Sequence, residues 1–134
     1  MEVREYFENY THFVDSVTSE SSRNDELYSE RMRQLSKTLD GNYARLDHAV
    51  TGLAGESGEV ADLWKKVKYL GLEYNEETKN KFIKELGDVC WYLFQTAYAL
   101  KIPVNEIIDA NVEKLKKRHP EGYSSAYLLR KKAE

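Results

Sequence analysis

Cysteine is nearly absent: Cys90 stands alone, so no disulfide can close within the chain. A lone thiol inside an apolar helical pattern points to a packing role and to a reducing, cytoplasmic setting. Long hydrophobic runs are missing too. No uninterrupted apolar stretch approaches the roughly 20 residues that span a bilayer, and no basic segment near Met1 leads into an apolar one, so neither a membrane partner nor a secretory leader is expected. Charge of one sign is not in excess, with 20 Lys and Arg against 23 Asp and Glu and a net charge of -3. The balance shifts along the chain, from six basic and thirteen acidic residues over 1–62 to fourteen and ten over 63–134. That leaves no pervasive basic surface for duplex nucleic acid, yet allows a local site for a phosphorylated small molecule. Strand-like alternation, internal repeats and low-complexity tracts are absent as well.

What is present is helical periodicity. The 134 residues suffice for one domain with its own core. Val3, Tyr6, Phe7, Tyr10, Phe13, Val14 and Val17 mark an amphipathic first helix, and the polar run 18–24 offers caps for a second, striped by Tyr28, Met32, Leu35 and Leu39. Asp40-Gly41 signals a turn. A central helix is predicted over 42–70, with Gly71 ending it. Its seam repeats at Leu46, Leu53, Val60 and Val67, with Ala49, Leu63 and Leu70 between. A second long helix over 77–100 carries Phe82, Leu86, Val89, Leu93 and Leu100 on its core stripe. Pro103 is a natural first residue for a third, whose buried side would be Val104, Ile107, Ile108, Val112 and Leu115. The expected architecture is an all-α helical bundle in one domain over 1–134, with N-terminal helices over 1–41, a core over 42–118 and a tail over 119–134. Long apolar stripes on so few helices leave a face to cover, so a homo-oligomer is expected.

Glu56 falls on the seam of the central helix, where a lone ionised carboxylate is costly unless it is paired or bound to a metal. Glu59 projects from nearly the same face one turn on. Glu85 and Asp88 repeat the spacing beside the next stripe, with Tyr92 a turn further. If the two helices pack antiparallel, four carboxylates converge, and such a group repels itself unless neutralised. Mg2+ takes oxygen ligands and is often completed by substrate phosphates. Asn111, Lys114 and Arg118 share one edge of the third helix and would supply cations for a phosphate site.

The ExxE, spacer, ExxD arrangement sits within GLAGESGEVADLWKK and KELGDVCWYL and is followed by NVEKLKKRHPEGYS. It resembles the MazG family of all-alpha nucleoside triphosphate pyrophosphohydrolases over about 48–124. The resemblance implies hydrolysis of a nucleoside triphosphate substrate, NTP or dNTP, to the monophosphate and pyrophosphate. The cofactor would be Mg2+, with Mn2+ as a substitute, and the role nucleotide-pool control or house-cleaning. It also implies that Glu56, Glu59, Glu85 and Asp88 are metal ligands and catalytic groups, and that Asn111, Lys114 and Arg118 contact the nucleotide or its phosphates. Compact stand-alone members are bacterial or viral, so the host cytoplasm is the alternative location.

Plainer readings stand beside these. Interior Gly52, Gly55 and Gly58 favour helix packing over ligand contact. Tyr92 is weighed equally as a base-stacking residue and as core, Trp64 and Trp91 are read as packing or subunit contacts, and His48 as a hydrogen-bonded structural histidine. His12 and His119 carry no pattern, and Arg130 to Lys132 read as a solvated tail. Two other functions compete. In a non-catalytic helical interaction module the acids would form interhelical salt bridges with Lys65, Lys66 and Lys68. In a di-iron carboxylate bundle Glu-x-x-His pairs are required, and neither Glu56 nor Glu85 begins one.

Overall fold

The computed structural model of the chain describes residues 2–126 and 129. It is all-helical, as expected from the periodicity, and no strand occurs among the described residues; the sole β feature there is an isolated bridge between Pro120 and Gly122. None of the described helices is long and apolar enough to cross a membrane. The residues cluster into two compact units, Met1–Ala44 and Arg45–Glu134.

In the first unit α1 (Val3–Ser16) leads through a 3-10 turn (Glu20–Ser22) into α2 (Asp25–Thr38). Asn24 starts α2 as the polar run suggests, its side-chain oxygen accepting from the backbone N–H groups of Glu26 and Leu27 at 3.0 Å each. Arg23 donates to Asp15 at 3.0 Å, tying the linker to the last turn of α1. The apolar stripe of α1 is exposed from Val3 to Val17. Of the thinner α2 stripe, Met32, Leu35 and Leu39 are half-buried and Tyr28 is exposed.

The second unit is built on α3 (Tyr43–Tyr69), α4 (Glu76–Ala99) and α5 (Val104–Arg118). At Gly71 the backbone turns left-handed (φ 76), and the amides of Leu70 and Leu72 both donate to the Lys66 carbonyl at 3.1 Å, closing the helix end. Asn75 then caps α4 by accepting from the Thr78 amide at 3.0 Å, while the buried Thr78 hydroxyl donates to the Glu73 carbonyl at 2.6 Å. The short connection therefore has its polar groups satisfied. Contacts between α3 and α4 run in opposite order along the chain, Arg45 with Gln95, His48 with Tyr92, and Glu56 with Glu85 and Asp88, so the pair is antiparallel. Pro103 is the cap of α5 rather than its first residue, with ψ at 134, and the helix opens at Val104.

Burial departs from the sequence pattern. The buried residues are mostly small: Ala49 and Leu63 from α3, and Thr78, Ala97 and Ala99 from α4. Leu46, Leu53, Val60, Val67, Phe82, Val89, Leu93, Val104 and Ile107 are half-buried, whereas Leu70, Leu86, Leu100, Ile108, Val112 and Leu115 are exposed. Cys90 is exposed rather than packed, and Trp64 and Trp91 are about half exposed at 53% and 52%. The physical reason is geometric. Each helix covers one flank of its neighbour, and the flank beyond needs another layer.

Gly52 lies directly against the ring of Tyr92, so close that an added Cβ would overlap it. Packing is thus its role. Gly55 and Gly58 face open space within the chain, and the packing reading fails for them. Gly52→Ala is expected to destabilise by about 1–3 kcal/mol through overpacking, despite the roughly 1 kcal/mol of helix propensity it gains. Gly55→Ala and Gly58→Ala should instead stabilise by about 0.5–1 kcal/mol each. Urea melts of the three variants check this; a loss of stability at position 55 or 58 would mean that something outside the chain lies against it.

Candidate active site

Glu56 occupies a seam position of α3 and is half-buried, Glu85 is half-buried on α4, and Asp88 is exposed one turn further along α4. Antiparallel packing brings the three together: one carboxylate oxygen from each lies within 4.8 Å of the others. Glu56 feels this most. Loss of water around its carboxyl, then the charges of Asp88, Glu85 and Glu59, hold it above the usual carboxylate range. Glu59 is exposed and outside the triplet, although its charge reaches both Glu56 and Lys66. Four acids therefore resolve into three that converge and one that stands a turn away.

The nearby cations are arranged differently from the interhelical pairing considered above. Lys65 and Lys66 both reach back to Asp62 on their own helix, at 2.8 and 2.7 Å. Hydrogen bonds from Lys65 and then Lys66 pull the Asp62 carboxyl down to about 2. Lys68 sits over the Tyr69 ring instead. No salt bridge among the described residues engages Glu56, Glu59, Glu85 or Asp88, so internal ion pairing does not explain the acids. Lys66 is the residue that sequence reasoning undervalued. It is raised above its ordinary value chiefly by Asp62, with Glu59 and Glu85 adding to the effect, so it is a cation beside the acidic end of the groove. Its spacing of seven from Glu59 was the available signal.

Tyr92 lies one turn beyond Asp88, half-buried against Gly52, with the His48 ring edge-on at 5.7 Å and the Trp91 ring at 4.9 Å. His48 is exposed and makes an aromatic contact in place of the expected structural role. Asn111 and Lys114 are exposed on α5, and Arg118 is half-buried in its last turn. None of the three is among the groups that shift Glu56. His119 accepts a hydrogen bond from the Ser124 amide at 3.2 Å and stacks on Tyr123, an ordering role for the turn after α5. Arg130 to Lys132 lie outside the described residues.

The donor set suits a hard divalent cation. Magnesium binds oxygens at about 2.0–2.1 Å, so its ligands lie roughly 3–4 Å apart, and oxygens within 4.8 Å of one another need only small side-chain rotations to close on it. Imidazole and thiolate donors, which favour softer metals, are missing from the cluster. An antiparallel helical pair presenting clustered carboxylates is a scaffold on which helical bundles hold metal ions.

Comparison with known proteins narrows this class. Residues 46–123 match the MazG nucleotide pyrophosphohydrolase domain, more than half of the chain, and the protein belongs to that family. It is also similar to the Gene 37 protein of Mycobacterium phage L5, 33% identical over 78 residues, which is 58% of this chain and 68% of the phage protein. No solved structure matches.

The raised Glu56 pKa has a testable sign. A carboxyl whose folded pKa lies above its unfolded value destabilises the fold when ionised, and that penalty disappears once pH falls below both values. Without metal, Glu56→Gln is therefore expected to raise the melting temperature at pH 7 and to leave it nearly unchanged at pH 3, measured by circular dichroism in chelator. Equal effects at both pH values would contradict the electrostatic origin.

Proposed function

We propose that the protein is a divalent-metal-dependent nucleoside triphosphate pyrophosphohydrolase, using Mg2+ or, in its place, Mn2+, and cleaving an NTP or dNTP to the monophosphate and pyrophosphate. The observation that carries the proposal is the convergence of Glu56, Glu85 and Asp88 within 4.8 Å, unpaired with any described cation, inside the segment that matches the family. Glu56, Glu85 and Asp88 would hold the metal, which when bound supplies charge neutralisation and polarisation of phosphate oxygens.

The remaining groups have separable tasks. Glu59, a turn from Glu56 and outside the triplet, is suited to orient a water and take its proton as the water oxygen bonds to the α-phosphorus. The bond to the β-side bridging oxygen breaks, and its electron pair leaves with pyrophosphate. Lys66, standing beside the acids, balances charge on the phosphates, and Lys114 and Arg118 would do so from α5, with Asn111 donating a hydrogen bond. Tyr92 supplies an aromatic surface next to the metal ligands. The exposed Ile83 and Leu86 on α4 and Ile108, Val112 and Leu115 on α5 support assembly as a homodimer or homotetramer, and sedimentation should show a multiple of the 15.6 kDa chain. The role we assign to such hydrolysis is nucleotide-pool control or house-cleaning, and the lone cysteine and the phage relative fit a bacterial cytoplasmic setting for it.

Pyrophosphate release from a panel of ribo- and deoxyribonucleoside triphosphates with Mg2+ tests the reading. Wild-type protein should release pyrophosphate, and Asp88→Ala and Glu59→Ala should each lower kcat by about a hundredfold or more, the usual scale for removing a group that stabilises the transition state. Release at the wild-type rate by either folded variant would overturn the assignment.

A further inference from the structure

One turn past Tyr92 the groove between α3 and α4 changes character. Arg45, Trp91, Phe94, Gln95 and Tyr98 line an open cleft of about 460 Å³, a size that suits a small ligand group. Trp91, Phe94 and Tyr98 recur at i, i+3 and i+7, and all three rings are more than half exposed. The Arg45 guanidinium lies 4.5 Å over the Tyr98 ring, and its Nη1 donates to the Gln95 Oε1 at 2.5 Å. An arginine has donors only, so this bond fixes which end of the amide faces it. With the oxygen held by Arg45, the group that Gln95 offers to a further partner is its Nε2 end, with two donors. The remaining Arg45 N–H groups are donors also. The polar part of this aromatic slot is therefore donor-rich.

Its position links it to the acids. Asp88, Tyr92 and Gln95 follow one line along α4, and Glu56, Gly52, His48 and Arg45 follow the facing line along α3. Seven residues of helix place Gln95 about 10 Å along the axis from Asp88, comparable to the reach from a nucleotide's phosphates across its sugar to the far edge of the base.

We infer that this cleft, framed by Trp91, Phe94 and Tyr98 and read by the Arg45–Gln95 pair, receives the nucleobase and selects bases that present a carbonyl rather than an amino group at pyrimidine position 4 or purine position 6. The aromatic faces supply stacking, which any base can use. The donors supply the choice, because a donor-lined site satisfies a carbonyl and leaves an amino group facing other donors. The inference rests on the pyrophosphohydrolase reading for its catalytic readout only.

The test compares kcat/KM for pyrophosphate release from UTP against CTP and from GTP against ATP, together with quenching of Trp91 fluorescence by UMP, CMP, GMP and AMP in a Trp64→Phe background. Wild-type protein should favour the carbonyl member of each pair by about tenfold or more, the scale of a single discriminating hydrogen bond. Gln95→Glu turns the reading amide into an acceptor still held by Arg45 and should bring the ratio to one or below. Arg45→Gln releases the amide to rotate and should also reduce it. Each ratio is internal to one variant, so partial misfolding does not imitate the effect. Hydrolysis with ratios near one, or ratios unmoved by both variants, would overturn the slot while leaving the hydrolase reading intact. That is also the outcome if a second copy of the chain covers these rings. Carbonyl-selective quenching without any hydrolysis would instead uphold the slot and remove the hydrolase reading.

Discussion

Mutual repulsion among Glu56, Glu85 and Asp88 is the constraint on which the rest of the site depends. Loss of water around the half-buried Glu56, and then the charges of Asp88 and Glu85 gathered within 4.8 Å of it, raise the cost of ionising it, and no described cation pairs with the three. The antiparallel packing of α3 on α4 holds the groups together, and that packing rests on small contacts: Ala49, Ala97 and Ala99 buried, and Gly52 admitting the Tyr92 ring. The same close approach thus sets both the acidic cluster and the aromatic wall beside it.

From this constraint the groove acquires a direction. The acids lie at one position, Tyr92 and His48 follow, and the Arg45–Gln95 pair with its exposed rings comes next. Lys66, kept charged by Asp62, stands on the other side of the acids. Negative, aromatic and donor-bearing surfaces succeed one another in the order that metal, sugar and base would need.

Much of this was legible in the sequence because it depends on period and spacing. The helices α1 to α5, the Asn24 cap, the Gly71 stop and the pairing of Glu56 with Glu85 and Asp88 follow from i, i+3, i+4 patterns and a short connection. Burial was less legible. Apolar spacing identifies the side of a helix that seeks cover, but not which chain supplies it, so Leu86, Ile108 and Val112 read as core and are exposed. The separation of Glu59 from the triplet depends on side-chain direction across two helices, and the Arg45–Gln95 bond joins residues 50 apart in sequence, both beyond the reach of local pattern. Gly55 and Gly58 resemble Gly52 in sequence and differ from it only in what lies opposite.

The central claim is that the carboxylate triplet is a metal centre for nucleotide chemistry. Anomalous diffraction from crystals soaked with Mn2+ and a non-hydrolysable nucleoside triphosphate analogue reads this directly. A manganese peak within about 2.5 Å of oxygens from Glu56, Glu85 and Asp88, shared with the phosphates, is the expected result. A peak elsewhere, or analogue bound with those three carboxylates bearing no metal, would contradict it.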